Sequence, residues 1–556
     1  MICSPFAEAE VFPIEIKGAA MTIREIIFES IEKYSELKSF SFPTKDGVAN
    51  KTYRALGEDL RRMRGSLERD GFARAHIAIA GKNSYPWVVT YLSVITGEGV
   101  AVPLDASLPD DNLIWQLNQA DVTCAFIESS KKDLIARAKA ECPQLAKVIV
   151  LGNDVLPGAD ATWGSYMEKG TDELEAGNGE NDADAASAGN AENGACATSK
   201  GTYDSPINVD VERPEDAVCT IMFSSGTTGV SKAIMLTQGN LGAEVKNLFY
   251  HTEPGTVLFS VLPIHHAFCL SVDVLTAIKL GVNTCINDSV GHLMKNLKTF
   301  EPQVILMVPL MVETIYKKLK SVNRLIPKRL VGREVFGKRL NHIIVGGAYL
   351  DPMYVTEFRK YGITIWQGYG MTETSPVIAF NGERGISDGS VGRPIDNTEV
   401  KIEDGEILVR GDIVMKGYYK MPEETAEALK DGWMHTGDLG RFDENGFLYI
   451  TGRKKNLIIL ANGENVSPEE LENDLYKIPL IGEVVVMGQP QGLIAHVYPD
   501  ETETKKMSPD VIREKIRKEV DKYNKKQPAY RRIIDVVMRD EPFPKTTTRK
   551  IKRDCI

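Results

Sequence analysis

A dense run of glycine, hydroxyl and lysine residues in the middle of the chain has the composition of a phosphate-binding loop. Its members are Ser224, Ser225, Gly226, Thr227, Thr228, Gly229 and Lys232. Glycines let backbone N–H groups approach an anion closely, and successive N–H groups form a nest that holds phosphate. The hydroxyl groups add further donors, and Thr228 could also contact a magnesium ion. A strand-like stretch follows Lys232, whereas a helix follows the P-loop of nucleoside triphosphatases, so the sequence excludes that class.

Side chains beside three further glycine-containing turns could complete a nucleotide site. Glu373 follows such a turn and could hold magnesium, and Tyr369 within the turn could stack on adenine. Asp438 lies in a tight Thr-Gly-Asp turn and could accept hydrogen bonds from both ribose hydroxyls. Arg453 could add a cation near the ribose or the α-phosphate. Taken singly, the first three residues also fit a surface carboxylate, a core aromatic residue and an Asx-turn.

The elements that must position these side chains follow the pattern of a layered α/β fold. From residue 213 to about 380, strand-like runs alternate with helical runs, which is typical of sheets covered by helices. From 386 to 450 the chain becomes glycine-rich and β-like. Beyond that region, Ser467 followed by Glu470 has the form of a capping box and predicts the start of a helix.

Length and net charge exclude several classes of protein. The chain has 556 residues, which at about 150 residues per domain suggests three or four domain-sized units. Its formal net charge of −11 argues against general nucleic-acid binding. No apolar run approaches the roughly 18 residues that a membrane-spanning helix needs, and the N-terminus lacks the pattern of a signal peptide. We therefore expect a cytoplasmic protein without a transmembrane segment, and peripheral contact with a membrane stays open.

Charge is distributed unevenly along the chain. Residues 171–204 hold eight acidic residues against one lysine and have almost no large apolar side chains. Such a segment cannot bury enough surface to offset the entropy of ordering, so we expect a flexible acidic insertion. Residues 511–556 hold fifteen Lys or Arg against seven Asp or Glu. This excess predicts either a solvated basic face or a surface that binds a polyanion such as a nucleotide.

Seven motifs in a fixed order give the sequence a resemblance to the adenylate-forming superfamily of acyl-CoA synthetases, nonribosomal adenylation domains and luciferases. The first is the phosphate-type loop. The others are Leu262-Pro263-Ile264-His265-His266, Gly346-Gly347-Ala348, Tyr369-Gly370-Met371-Thr372-Glu373, Thr436-Gly437-Asp438, Gly452-Arg453-Lys454-Lys455 and the stretch from Pro544 to Lys550. The resemblance implies an N-terminal extension over 1–20 and a large layered α/β domain with a small β-barrel-like subdomain over 21–452. It also implies a small α+β lid domain over 453–556.

The resemblance further implies substrates and residue roles. The resemblance implies the use of ATP and magnesium and, as in acyl-CoA synthetases, of coenzyme A, and the matching magnesium contacts here are Thr228 and Glu373. Lys550 matches a lysine that enters the active site during acyl-adenylate formation, and His266 matches a position between the acyl and nucleotide sites. Lys455 matches the hinge about which the lid rotates between half-reactions. The remaining matches are Gly347, Ala348, Gln367, Gly368, Tyr369, Gly370, Thr372, Asp438 and Arg453 for the nucleotide, and Gly463, Glu464 and Asn465 for the thiol tunnel.

Within the superfamily, the sequence looks most like long-chain fatty acyl-CoA synthetases. The paired histidines His265 and His266, the segment after the hinge and the basic tail carry this likeness. It implies activation of a medium- or long-chain fatty acid and transfer of the acyl group to coenzyme A. Two alternatives stay open: transfer to the phosphopantetheine of an acyl carrier protein, and a non-catalytic nucleotide-binding homologue. The second alternative rests on Arg549, which stands where most members have glycine.

Overall fold

The computed structural model describes residues 21–170, 213–224, 231–248, 250, 252–320, 326–382, 384–460, 464–489, 491–545 and 551–553. The predicted extension 1–20 and the predicted acidic insertion 171–204 lie outside these ranges. The α-helices are Ile23–Lys33, Tyr53–Arg69, Tyr85–Thr96, Asp110–Gln119, Lys132–Glu141, Trp163–Glu168, Gln238–Asn247, Ala267–Cys269, Ala277–Lys279, Leu293–Phe300, Pro309–Lys320, Lys328–Phe336, Pro352–Lys360, Pro422–Ala428, Pro468–Leu475, Glu501–Thr504 and Pro509–Asn524. A π-helical segment, Leu270–Thr276, joins two of them into one helix that spans residues 267–279.

The first sheet is mixed, and its central strands are parallel. In spatial order it contains Arg393–Pro394, Val377–Phe380, Thr364–Gly370, His342–Val345, Val304–Met307, Val257–Ser260, Asn283–Ile286, Lys38–Thr44 and Gly47–Thr52. The strands from Thr364–Gly370 across to Lys38–Thr44 all run in the same direction. Their carboxyl ends therefore meet at one edge of the sheet, which is where ligands bind in open α/β sheets.

The second sheet has the same mixed character. In spatial order it contains Gly417–Tyr418, Ala233–Thr237, Val218–Phe223, Val100–Leu104, His76–Ala80, Cys124–Glu128, Lys147–Leu151 and Ala161–Thr162. The strands from Val218–Phe223 onward are parallel, and Ala233–Thr237 returns antiparallel beside Val218–Phe223. The loop of the phosphate-type motif therefore connects two neighbouring strands at a carboxyl edge.

The glycine-rich region and the C-terminal region form separate antiparallel or mixed sheets. The third sheet contains Thr398–Glu403, Glu406–Gly411, Trp433–Phe442, Leu429–Lys430 and Leu448–Arg453. The C-terminal sheet contains Ile481–Gln489, Gly492–Pro499 and Ile533–Met538, and a short hairpin pairs Ile458–Ile459 with Asn465–Val466. The prediction of an α/β fold with a β-rich region after residue 386 is confirmed.

One apolar core connects the first three sheets, and the helix Tyr85–Thr96 lies within it. Its sequence is apolar on all sides, and a helix of this kind is stable only when it is buried. Trp87 and Tyr91 are fully buried and stack with their ring centroids 5.5 Å apart. The same core contains Ile77 of the second sheet and Ile344 of the first. The two carboxyl edges are thus held in a fixed relation to each other.

Two contacts lie on either side of residues 171–212, one made by the backbone of Gly170 and the other by the side chain of Arg213. Gly170 packs so closely on the helix Tyr53–Arg69 that a Cβ atom there would lie 2.2 Å from the carbonyl oxygen of Arg62. Arg213 donates to the carbonyl oxygens of Gly97 and Gly99 at 2.6 and 2.9 Å. Both ends of this region are therefore tied to the core of the N-terminal part of the chain.

In the ranges that the structure describes, no helix combines the length and the apolar character that crossing a membrane requires.

Candidate active site

Three of the predicted motifs lie at the carboxyl edge of the first sheet. The histidine motif follows the strand Val257–Ser260, and Gly346–Ala348 follow the strand His342–Val345. Gln367 pairs with Val345 of the neighbouring strand, and its backbone leads directly into Gly368, Tyr369 and Gly370. A Cβ atom at Gly370 would lie 1.8 Å from the carbonyl oxygen of Pro376, so a glycine is required there. The edge thus brings together motifs that are about 100 residues apart in the sequence.

Two polar residues at the carboxyl edge of the second sheet join it to the first sheet. Asn83 donates to the carbonyl oxygen of Leu262 at 2.7 Å and accepts from the backbone N–H of Ile264 at 3.0 Å. Asp105 lies 3.6 Å from Nε2 of His265. Neither residue was predicted as part of the site, although each closely follows a strand and is polar, which is a usable signal.

The ends of the phosphate-type loop are fixed by two hydrogen bonds. The backbone N–H of Ser224 donates to the carbonyl oxygen of Lys232 at 3.0 Å, and the backbone N–H of Lys232 donates to Oγ of Ser224 at 3.1 Å. The predicted phosphate contacts between them, Ser225, Gly226, Thr227, Thr228 and Gly229, lie outside the described residues. The strand Ala233–Thr237 confirms that a strand, and not a helix, follows the loop.

Tyr369, Asp438 and Arg453 form one hydrogen-bonded cluster. The hydroxyl of Tyr369 donates to one carboxylate oxygen of Asp438 at 2.8 Å, and Nε of Arg453 lies 3.0 Å from the other. Asp438 and Arg453 are cross-strand partners in the third sheet, which explains their contact. Burial and the neighbouring Asp438 raise the pKa of Tyr369 well above its usual value, so the hydroxyl stays a donor. The tyrosine therefore has a polar contact in addition to the stacking surface that the sequence predicted.

The turn that carries Asp438 is shaped by its own residues. Gly437 adopts φ +70°, a left-handed conformation that glycine takes at no steric cost. The hydroxyl of Thr436 donates to the carbonyl oxygen of Ile407 at 2.7 Å, and the hydroxyl oxygen of Thr436 accepts from the N–H of Asp438 at 3.1 Å. The conformation of Gly437 and the hydrogen bonds of Thr436 therefore fix the backbone of Asp438 so that its carboxylate faces Tyr369.

Glu406 stabilises this turn from the neighbouring strand of the third sheet. It belongs to none of the motifs that the sequence indicated. One of its carboxylate oxygens accepts from the N–H of Gly437 at 3.0 Å, and the other accepts from Nζ of Lys454 at 2.7 Å. Burial alone would raise the pKa of Glu406, but the bonds from Lys454 and Gly437 lower it below its usual value. The carboxylate therefore stays charged and links the Asp438 turn to the segment after Arg453.

Glu373 is a second buried carboxylate in the same region, with 8% of its surface exposed. It lies in a 3-10 turn, Thr372–Thr374, and Tyr418 donates a hydrogen bond to its Oε1 at 3.0 Å. Nζ of Lys232 lies 4.6 Å from the ring centroid of Tyr418. Burial raises the pKa of Glu373, and Tyr418 and Lys232 oppose that rise.

The surroundings of Glu373 fit a magnesium ion that is shared with a nucleotide. Magnesium binds one or two protein carboxylates together with substrate phosphates and water. Among the described residues, no group of three or more His, Cys, Asp or Glu side chains could hold a metal ion by itself. Glu373 is a single buried carboxylate near Lys232, the residue that ends the phosphate-type loop, and it suits a cation that arrives with phosphate ligands.

The paired histidines lie where the two sheets meet. The rings of His265 and His266 are 4.3 Å apart, and Asp105 faces His265. Burial, together with the neighbouring His266, lowers the pKa of His265 to about 3, so this ring is neutral at pH 7. Phe268 packs on the backbone of Gly346, where a Cβ atom would lie 3.0 Å from the ring. His266, the predicted catalytic histidine, is half-buried.

The predicted hinge residue Lys455 lies in an exposed 3-10 turn, Lys454–Asn456. Gly452 just before it packs so tightly that a Cβ atom would lie 2.1 Å from Oγ of Ser467. The predicted helix start is confirmed, since Ser467 is the N-cap residue of the helix Pro468–Leu475. The capping box itself is wrong, because the Ser467 hydroxyl donates to the carbonyl oxygen of Thr451 at 2.8 Å and makes no cap hydrogen bond. Ser467 therefore connects the strand Leu448–Arg453, which precedes the turn, to the helix Pro468–Leu475.

The remaining predicted residues lie on the C-terminal part of the chain. Glu464 and Asn465 are exposed in the short hairpin after the turn Lys454–Asn456, and Gly463 lies outside the described residues. Lys550 also lies outside them, but the positions on either side, Lys545 and Ile551, pair with each other. The structure therefore brings together Tyr369, Glu373, Asp438 and Arg453 with Lys232, and leaves the contacts of Lys550 as a prediction.

Buried carboxylates that are held by tyrosine hydroxyls, beside a phosphate-type loop at the carboxyl edges of two sheets, are what a nucleotide-binding enzyme requires. The family model "AMP-binding enzyme" matches residues 28–419, and the model "AMP-binding enzyme C-terminal domain" matches residues 455–556. The chain belongs to the AMP-binding enzyme family. It is an AMP-forming acid–thiol ligase of the adenylate-forming superfamily, and family membership implies the use of ATP and coenzyme A.

Comparison with individual proteins agrees with this assignment. The long-chain-fatty-acid–CoA ligase FadD15 of Mycobacterium bovis is 27% identical over 464 residues, which cover 75% of this chain and 72% of that protein. The long-chain-fatty-acid–CoA ligase of Haemophilus influenzae is 32% identical over 369 residues, 61% of this chain and 62% of that protein. The crystal structure of the anthranilate CoA ligase AuaEII in complex with anthranoyl-AMP is 18% identical, with a TM-score of 0.77 over 97% of this chain and 96% of that one.

Proposed function

We propose that this enzyme activates a medium- or long-chain fatty acid with ATP and transfers the acyl group to coenzyme A. In the first half-reaction a carboxylate oxygen attacks the α-phosphorus of ATP, and the bond to the β-phosphate breaks to release pyrophosphate. In the second, the thiol of coenzyme A attacks the acyl carbon, and AMP leaves. The observation that carries the proposal is the Tyr369–Asp438–Arg453 cluster, which offers a ribose-binding carboxylate beside an aromatic ring and a cation.

The nucleotide side of the site consists of Tyr369, Glu373, Tyr418, Asp438 and Arg453. Asp438 accepts hydrogen bonds from the ribose hydroxyls, and Tyr369 places its ring against the adenine. The residues from Ser224 to Lys232, with Gly347, Ala348, Gln367, Gly368, Gly370 and Thr372, complete the nucleotide contacts. Glu373 and Thr228 hold magnesium, which supplies positive charge to the phosphate oxygens when it is bound.

The acyl side of the site consists of His265, His266, Phe268, Gly346 and the helix over 267–279. It adjoins the nucleotide side because His342–Val345 and Thr364–Gly370 are neighbouring strands. His266 lies beside the reacting carboxylate, and Phe268 on Gly346 forms an apolar wall. An apolar acyl chain gains free energy from contact with such a wall, since it leaves water.

The residues from 453 onward act as a lid domain in this proposal. Lys550 stabilises the charge that grows on the α-phosphate during acyl-adenylate formation, in a step that depends mainly on positioning and fixed charges. The lid then rotates at Lys455, and the thiol enters along Gly463, Glu464 and Asn465. The basic surface of residues 511–556 receives the phosphates of coenzyme A.

The names of related proteins support the fatty-acid substrate class but do not restrict it. The two relatives described above are long-chain-fatty-acid–CoA ligases, whereas the structural neighbour is an anthranilate CoA ligase that shares the fold alone. A single methylene changes binding in an apolar pocket by only about 1–3 kcal/mol, so the identity of the acid depends on pocket shape more than on the motifs.

The test is pyrophosphate release from ATP over a panel of fatty, aryl and amino acids, with and without coenzyme A. Stimulation by fatty acids, with sustained turnover only when coenzyme A is present, is the expected result. Release that stops near one equivalent despite coenzyme A would contradict the acceptor and indicate a carrier protein. Stimulation by aryl or amino acids alone would contradict the substrate class.

A further inference from the structure

Tyr418 lies on a short edge strand that is bonded directly to the strand after the phosphate-type loop. In the second sheet, Tyr418 pairs with Ile234, and the backbone N–H of Tyr419 donates to the carbonyl oxygen of Ala233 at 2.7 Å. Ala233 follows Lys232 without a gap. Any shift of the strand that ends the loop therefore moves the backbone of Tyr418 with it.

The same segment also holds the turn that carries Glu373. The N–H of Met415 donates to the carbonyl oxygen of Glu373 at 2.8 Å, and the hydroxyl of Ser375 donates to the carbonyl oxygen of Ile413 at 2.8 Å. The hydroxyl of Tyr418 then reaches Oε1 of the Glu373 side chain. Backbone and side chain of the glutamate are thus both fixed by residues 413–418.

The ring of Tyr418 also contacts Lys232. Its centroid lies 4.6 Å from the Lys232 ammonium, which is within the range of a cation–π contact. The charged and titratable groups around Glu373 are Tyr418, Lys232 and Asp438. Tyr418 is the one among them that both donates to the carboxylate and contacts the cation of the loop.

We propose that Tyr418 is a positioning residue that holds the Glu373 carboxylate by Oε1, so that Oε2 is presented to the magnesium ion of the bound nucleotide. A carboxylate has two oxygens, and fixing one of them limits rotation of the other. This inference rests on the proposed function, in which Glu373 binds magnesium. It adds a residue from outside the motifs that define the nucleotide site.

The test compares Tyr418→Phe with Tyr419→Phe. Both variants lose one buried or half-buried phenolic hydroxyl from adjacent positions, but Tyr419 donates to Asp121 at 2.8 Å and not to Glu373. The readout is the affinity for a non-hydrolysable ATP analogue, measured by calorimetry in magnesium and in EDTA. We expect the affinity of Tyr418→Phe in magnesium to be about tenfold lower than that of the wild type, and its affinity in EDTA to be unchanged. Tyr419→Phe keeps the wild-type values.

A double-mutant cycle checks that Tyr418 acts through Glu373. Glu373→Asp keeps the charge but withdraws the carboxylate from both the Tyr418 hydroxyl and the magnesium ion, so we expect a loss at least as large as that of Tyr418→Phe. Adding Tyr418→Phe to Glu373→Asp should then have little further effect, because the contact is already broken. Full additivity of the two losses would overturn the proposal.

Glu373→Gln separates failure of this inference from failure of the proposed function. If it abolishes the magnesium-dependent affinity while Tyr418→Phe behaves like the wild type, Tyr418 has no positioning role and the metal role of Glu373 stands. If Glu373→Gln keeps the full gain from magnesium, Glu373 does not hold the metal and both ideas are wrong.

Discussion

The nucleotide side and the acyl side of the site differ in how their buried polar groups are satisfied. On the nucleotide side, Asp438 has a tyrosine hydroxyl and a guanidinium as partners, and Glu373 has the hydroxyl of Tyr418. On the acyl side, Asp273 lies fully buried in the π-helical segment beside the hydroxyl of Ser260, and no ion pair to its carboxylate is found among the described residues. Burial raises the pKa of Asp273 to about 8, so it is neutral at pH 7.

This difference suits the two kinds of ligand that we propose. A polyanion with its metal ion needs charged groups whose orientation does not change, and pairing with donors supplies that orientation. An apolar acid needs surroundings without net charge, and burial of a carboxyl group favours its neutral form. Glu244 is also fully buried, and burial raises its pKa to about 8, although the hydrogen bond from Ser271 and the charge of Lys279 oppose the rise.

The largest effect is expected when the nucleotide side loses a charge. Asp438→Asn removes the partner of Arg453 and weakens acceptance from two ribose hydroxyls, so kcat/KM for ATP should fall by about 100-fold or more. Steady-state kinetics with saturating acid and coenzyme A would measure it. Asp443→Asn, in a turn after the same strand, is the matched control and should stay near wild type. Equal losses in both variants would contradict a specific role of Asp438 in binding the ribose.

A smaller effect is expected one contact further out. Glu406→Gln keeps an oxygen for the N–H of Gly437 but loses the charge that holds Lys454, and we expect about a tenfold fall in kcat/KM for ATP. Glu403→Gln is the control, since Glu403 is exposed in the same sheet and pairs with Lys401. If Glu406→Gln is silent, the turn does not depend on this carboxylate.

On the acyl side, a substitution that changes the shape of the proposed pocket should weaken binding of the fatty acid and leave binding of ATP unchanged. Gly346→Ala puts a Cβ atom 3.0 Å from the ring of Phe268, which must then move. We expect KM for the fatty acid to rise about fivefold, a cost comparable to overpacking in a core, with KM for ATP unchanged. Adding Phe268→Leu should restore part of the loss. A rise in KM for ATP would show that the two sides are not separate.

The smallest effect concerns stability and tests the neutral state of Asp273. Its pKa is about 8 in the folded protein and 3.8 ordinarily, so the unfolded chain loses the proton first as pH rises and stability falls from pH 4 towards pH 8. Asp273→Asn cannot ionise. The melting temperature of this variant minus that of the wild type should therefore increase by a few degrees from pH 4 to pH 8. Asp133→Asn, at an exposed position, should show no such trend.

The sequence predicts the nucleotide side better than the acyl side for a physical reason. Tyr369, Glu373 and Asp438 stand beside glycines in short motifs, because the turns that present them need glycine locally. Tyr418 and Glu406 act through contacts between segments that are distant in the sequence, so no local pattern marks them. The packing of Phe268 on Gly346 depends on two strands and a loop together, and spacing alone does not show it.

The α/β layering was predictable because alternating strand and helix patterns are local signals. The same locality explains the error at Ser467, where Ser-Pro-Glu-Glu has the form of a capping box. The serine hydroxyl bonds instead to Thr451 across the turn before the C-terminal sheet. The hydroxyl thus contacts a distant carbonyl oxygen and not the local backbone N–H that a capping box would use, and the local sequence does not indicate which of these contacts forms.

The anchoring of Gly170 and Arg213 has a consequence for engineering. Gly170 packs on the backbone at Arg62, and Arg213 donates hydrogen bonds to the carbonyl oxygens of Gly97 and Gly99. The residues at both ends of the connection between them are therefore held in place. The entropy of closing such a connection grows only slowly with its length. A reporter domain whose termini lie close together could therefore be grafted between these two residues at a small cost in closure entropy.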